Sequence, residues 1–135
     1  MRVAGLNIWA ILGAAIAVYL VGMLINGVLI APETWMAASG LTKEDMDRVG
    51  LSRLPYSPVM PIVTVIGMAI LFKWANVSGA ANGVKWALLI ACLSALPAMW
   101  YGWVYGVGPI AGTLIDSAHL LTGHAVAGAI LARGR

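Results

Sequence analysis

Charge is scarce in this chain, and with it most of the equipment of a soluble enzyme. Of 135 residues, eight are Lys or Arg, five are Asp or Glu and two are His, so that charged residues make up 10%, against about 25% in soluble domains. A chain so poor in charge cannot cover itself with a water-facing surface. Its few basic residues form no cluster, and a net charge of +3 therefore supplies no nucleic-acid surface. The single cysteine, Cys92, excludes an intramolecular disulfide and a cysteine-built metal site. The sequence also lacks a glycine-rich phosphate loop, a serine-nucleophile motif and paired carboxylates in its apolar runs. With almost no soluble part to house an active site, the chain is expected not to be an enzyme and to need neither metal nor cofactor.

What it has in abundance is apolar sequence: hydrophobic residues are 61% of the chain and the mean hydropathy is +0.92. The bilayer is its natural solvent. Four apolar runs, over 6–30, 58–74, 84–107 and 112–131, predict an all-α polytopic protein, a single domain over 1–135 built as a bundle of four transmembrane helices. The first run is too long for the h-region of a cleaved signal. The second, with Pro58 and Pro61 in its opening turn, is the shortest. Pro97 predicts a bend in the third. Gly79, Asn82 and Gly83 read as the turn between the second and third.

Small residues recur at helical spacing, Gly13, Ala17 and Gly22 in the first span, Ala87, Ala91 and Ala95 in the third, Gly123 and Ala127 in the fourth. Such stripes let helices approach closely in lipid. Six Trp and four Tyr against one Phe fit interface anchors, expected at Trp35, Tyr56, Trp74, Trp100, Tyr101, Trp103 and Tyr105. The one longer polar segment, 31–57, carries Thr42 three residues before Asp45, a capping-box start for a short helix with Leu41, Met46 and Val49 on its apolar side. Arg2, Lys73, Lys85, Arg133 and Arg135 gather on one side of a four-span topology. Lys43, Arg48 and Arg53, among four acidic residues, lie on the other. The expectation is a bacterial inner-membrane protein with both termini in the cytoplasm.

Function concentrates on the last run, where Asp116, His119 and His124 are the only Asp, Glu, His, Lys or Arg side chains inside an apolar run and away from its ends. At about 100° per residue, Asp116, His119, Gly123 and Ala127 share an inward face and His124 stands at its opposite margin. Asn26, in the first span, is the other polar group able to face them. Three readings follow: a polar pair that sets helix register, a proton or solute path, and a metal or catalytic site, for which the ligands are too few. The favoured expectation is an accessory or oligomeric membrane subunit, a homo-oligomer or part of a larger complex, joined by its small-residue faces. The alternative is a small proton- or solute-conducting protein using Asp116 and His119, and a lipid-acting enzyme comes third.

Leu114 to His119, LIDSAH, followed by a Gly/Ala-rich end, resembles the last helix of a family of small bacterial four-helix membrane proteins known as a domain of unknown function. Trp35-Met36 and Gly40-Leu41-Thr42 with Glu44 and Asp45 resemble its first loop. The resemblance implies a four-helix membrane fold and no activity. The chain departs from the family at Ile25-Asn26-Gly27-Val28, where aromatic and proline residues are usual, and at His119, where Tyr is common.

Overall fold

The computed structural model describes residues 1–134, and within them the side chains of all but Val49, Gly50, Leu51 and Leu54. Arg135 and the Val49 side chain therefore lie outside the described residues. The fold is all-α, with six helices, preceded by a two-residue β-hairpin in which Arg2 pairs with Asn7 and Val3 with Leu6. Ala4 and Gly5 turn it with φ of 50° and 78°, the left-handed pair that a tight hairpin turn requires.

The helices are α1 (Ile8–Leu29), α2 (Pro32–Ser39), α3 (residues 43–53), α4 (Val59–Trp74), α5 (Ala80–Val104) and α6 (Ile110–Arg133). Three of them, α1, α5 and α6, are long and apolar enough to cross a membrane, with mean hydropathies of 2.4, 1.6 and 1.3. The fourth apolar helix, α4, has 16 residues, a length of about 24 Å at 1.5 Å per residue.

Local chemistry explains the boundaries. Asn7 caps α1, its Oδ1 accepting from the Trp9 and Ala10 amides at 3.2 and 3.4 Å, while its Nδ2 donates to the Gly134 carbonyl at 2.9 Å. One side chain thus starts the first helix and ties it to the end of the last. In α5 a π-helical turn over Ala91–Ala95 precedes Pro97. Proline has no amide to donate to Leu93, and a locally widened turn accommodates its ring. Pro58 and Pro61 lie at the start of α4, where first-turn amides have no helical partner anyway. The segment 31–57 holds more structure than the single short helix expected there. Pro32 opens α2, Glu33 sits in its first turn, and Gly40, at φ 69°, closes it. Thr42 and Asp45 form the capping box at the head of α3, each side chain bonded to the other's amide at 3.1 Å.

Packing centres on α6. Along one side runs α5, antiparallel, with Gly83 against Gly128 so closely that a Cβ at either would fall inside contact distance of the other's carbonyl oxygen. Gly83 was expected in a turn; the turn is Gly79, at φ 80°, and both Asn82 and Gly83 lie inside the helix. Along another side runs α1, also antiparallel to α6, bringing Gly13 to Ile130, Val18 to Gly123 and Gly22 to His119. Helix α4 lies against α1 and buries Val65, Met68 and Phe72 completely, with Ala14, Ala87 and Ala127 beside them in one core. Of the expected small-residue faces, Ala87, Ala91, Gly123 and Ala127 are buried, while Gly13, Ala17, Gly22 and Ala95 are half-buried. At the end holding the termini, Lys73 Nζ donates to the Ala4 carbonyl at 2.6 Å and the Gly79 amide to the Ala132 carbonyl at 3.2 Å.

A methyl at Gly128 has to push two backbones apart, whereas one at Gly67 of α4 meets nothing within 4 Å. Gly128→Ala is expected to lower unfolding stability in detergent by about 1–3 kcal/mol and Gly67→Ala to leave it level or raised; equal effects would contradict the contact. In α3 the Thr42 hydroxyl, the Thr42 amide and Arg48 hold the Asp45 carboxyl below the usual carboxylate range. That contribution is present at neutral pH and lost as pH falls below about 4. Thr42→Ala should move the Asp45 titration upward when followed by its carboxyl NMR shift.

Candidate functional site

The polar residues of α6 follow from its packing. Because Gly83, Gly128 and Ala132 hold the helix against α5 near its C-terminal end, and Gly123 admits Val18 of α1, the face bearing Asp116 and His119 is left opposite a space. That space is a cavity of about 310 Å³, and all four apolar helices contribute to its wall: Val18 from α1, Met60, Thr64 and Met68 from α4, Met99 from α5, and Asp116, His119, Gly123, His124 and Ala127 from α6. His124, expected on a separate margin, belongs to the same wall. It is buried, and its Nδ1 donates to the Leu120 carbonyl at 2.8 Å. A carbonyl can only accept, so the neutral ring carries its proton on Nδ1 and keeps Nε2 as the acceptor.

Two further hollows adjoin this one. A space of about 590 Å³ shares Val18, Met60, Pro61 and His119 with it and adds Tyr19, Asn26 and Trp35. A third, of about 230 Å³, shares Met99 and Asp116 and continues past Trp103 and Gly112 to Ser39, Gly108 and Pro109. Asp116 therefore stands on the wall between the second-largest space and the mouth at the α5–α6 turn, and His119 between the two larger spaces. At the mouth lies α2, seated on α6 because Gly112 leaves room for the Ala38 carbonyl and Gly40 for Pro109. At the opposite end the core of Val65, Met68, Phe72, Ala14 and Leu131 closes the bundle. Beyond it lie a void of about 20 Å³ under Leu6 and Ala10 and, at the end holding the termini, a polar hollow of about 280 Å³ lined by Arg2, Asn7, Asn76, Ser78 and Gly134.

The contacts in the site divide into packing and unpaired groups. His119 packs on α1 through Gly22, where a Cβ would fall 2.9 Å from Nε2. Asp116 makes no hydrogen bond or salt bridge among the described residues; its electrostatic neighbour is His119, three residues on along the same helix. The polar tie between α5 and α6 is a different one: Trp100 Nε1 donates to Ser117 Oγ at 3.0 Å, and Ser117 Oγ donates to the Thr113 carbonyl at 2.6 Å. Trp100 is thus engaged inside the bundle, edge-on to Trp103 at 5.6 Å. Trp35 is likewise drawn inward: its Nε1 and Asn26 Oδ1 are both shielded and without a hydrogen-bond partner. Tyr56, Trp74, Tyr101 and Tyr105 are exposed. Ser117 and Gly128 are the site-shaping residues that the sequence pattern passed over. The signal for Ser117 was a mid-helix serine, four residues after Thr113, able to bond back to the preceding turn.

No Lys or Arg lines any of the three spaces. Among the described residues no three of His, Cys, Asp and Glu are placed to hold a metal ion. Compared with known proteins, the chain matches no family model, no curated protein and no solved structure.

If the cavity-facing residues do not hold the bundle, stability should be indifferent to them. Asp116→Asn is expected to change unfolding stability in detergent by no more than about 0.5 kcal/mol. Ser117→Ala, which strands the Trp100 indole N–H, should lower it by about 1 kcal/mol or more. The reverse order would show that Asp116 is a structural tie after all.

Proposed function

We propose that the chain is a four-span bacterial inner-membrane protein that binds a small solute in a cavity open to the outer side, without catalysing a reaction. The observation that carries this reading is the division of labour on α6. Gly128 and Ala132 make the close contact with α5 and Gly123 the contact with Val18, while Asp116, His119, which also packs on Gly22, and His124 line a hollow to which every apolar helix contributes. Asp116 stands in the second turn of α6 and is exposed, nearer the end of the helix than the centre where a charge is costliest, so water or a ligand at the mouth reaches its carboxylate.

The four-span topology follows from α4 as a crossing helix. Its length of about 24 Å falls short of the roughly 30 Å hydrocarbon core, a mismatch met by local thinning and by Lys73 and Trp74 reaching the interface. With the basic excess of Arg2, Lys73, Lys85 and Arg133 inside, α2 and α3 lie outside. The mouth beside Ser39 and Pro109 then opens outward and the Phe72 core closes the inner half. This arrangement suits capture from the outer side; it is no continuous channel through one chain. Of the small-residue stripes expected to join subunits, Gly13, Gly22, Ala87 and Gly123 are taken up by contacts between α6 and α1 or α5 inside the chain. The resemblance to a four-helix membrane family fits the same topology.

Accessibility tests the reading. In a Cys92→Ala background, single cysteines at Leu120, in the cavity wall, and at Ala69, in the inner core, are treated in intact cells with a membrane-impermeant cationic methanethiosulfonate. Labelling of Leu120→Cys and protection of Ala69→Cys is the expected outcome. Protection of both would remove the outward cavity, and labelling of both would remove the inner closure.

A further inference from the structure

We propose that the solute is a small organic cation with an apolar body, its charge held at the Asp116 carboxylate; this rests on the solute-binding reading above. The charge balance of the cavities sets the sign. Asp116 is the one carboxylate on the walls of the three adjoining spaces, and neither a lysine nor an arginine lines any of them. The other titratable groups facing the two larger spaces are His119 and His124 of α6 and Tyr19 of α1, while α4 and α5 contribute only uncharged side chains. The Asp116 carboxylate is exposed, borders mostly apolar walls and carries no salt bridge among the described residues; beside a surface of reduced dielectric its attraction for a cation is larger than in bulk water.

The walls define the body of the ligand. Met60, Met68, Met99, Val18 and Leu120 surround the 310 Å³ space, a lining that is apolar and, through its methionines, adaptable in shape. Pockets of this order hold small organic molecules, with a few polar groups fixing orientation. Aromatic rings stand at both approaches, Trp103 on the mouth side of Asp116 and Trp35 with Tyr19 beyond His119. Trp and Tyr faces attract organic cations and give no comparable advantage to an anion or a neutral molecule. An inorganic divalent ion is a poorer occupant, because it requires several oxygen ligands and the described residues bring together no trio of candidate ligands. A carboxylate, aromatic rings at both approaches and walls without lysine or arginine together specify a lipophilic ammonium.

The test uses the full chain, purified in detergent, and three probes of one shape: 1-adamantylammonium, uncharged 1-adamantanol and 1-adamantanecarboxylate. Binding is measured by equilibrium dialysis to the wild type and to Asp116→Asn. The expected result is saturable binding of the ammonium, roughly tenfold or more tighter than the alcohol, with no binding of the carboxylate. Asp116→Asn should remove that preference and leave the alcohol's affinity unchanged, which also shows that the variant is folded. Equal affinity for ammonium and alcohol, an ammonium preference that survives in Asp116→Asn, or preferred binding of the carboxylate would each overturn the cation assignment and leave the solute-binding reading standing. Absence of binding by all three probes would overturn both.

Discussion

The close passage of α5 and α6 at Gly83 and Gly128 is the constraint on which the rest depends. In a bilayer the lipid tails are as apolar as leucine, so helices are held by dense van der Waals contact and not by escape from water. Two glycines facing each other let the backbones meet at a distance that any side chain would forbid. Ala87 and Ala132 continue the contact on either side. This fixes α6 about its own axis, and the rotation decides which residues face α1, which face α5 and which face the hollow between them.

Once α6 is set, two of its polar residues, Asp116 and His119, are left without a hydrogen bond or salt bridge among the described residues. Ser117 makes the polar tie to Trp100, and Asn7, Lys73 and the Gly79 amide tie the helix ends at the face that holds the termini. Asp116 and His119 are not needed for any of these. They occupy the half of the bundle where packing is loose, while Val65, Met68 and Phe72 fill the other half. The contrast between this dense apolar core and the hollow beside α6 is what gives the polar stripe a chemical environment of its own. Methionines from α4 and α5 form much of the facing wall, and the short helix α2 covers the entrance through its seat on Gly112.

Much of this was legible from residue order. Apolar run lengths located the long helices, Pro97 marked the disturbed turn of α5, and Thr42 with Asp45 announced the capping box. The stripe of Asp116, His119, Gly123 and Ala127 followed from helical rotation alone, and so did the burial of Ala87 and Ala91. What failed did so for physical reasons. Gly83 sits in a Gly/Asn-rich stretch with the composition of a turn, and only the partner glycine on α6 shows it to be a contact residue. His124 was set apart because it lies about 80° from Asp116 around the helix; a cavity bounded by three other helices wraps further than that. Trp35 carried the signature of an interface anchor, and its inward turn depends on the placement of α2. The start and stop signals of α2 itself, Pro32, Glu33 and Gly40, stand within a polar segment whose composition is that of a connector, which hides so short a helix.

The polar face of α6 borders a hollow open to water, while the core around Phe72 is dry. Solid-state NMR of the isotopically labelled protein in lipid bilayers, with magnetisation transferred from water, reads this residue by residue. Rapid transfer to Asp116, His119 and Thr64 and none to Val65, Phe72 or Ala14 is the expected result. Slow transfer to Asp116 and His119, or rapid transfer to Phe72, would contradict it.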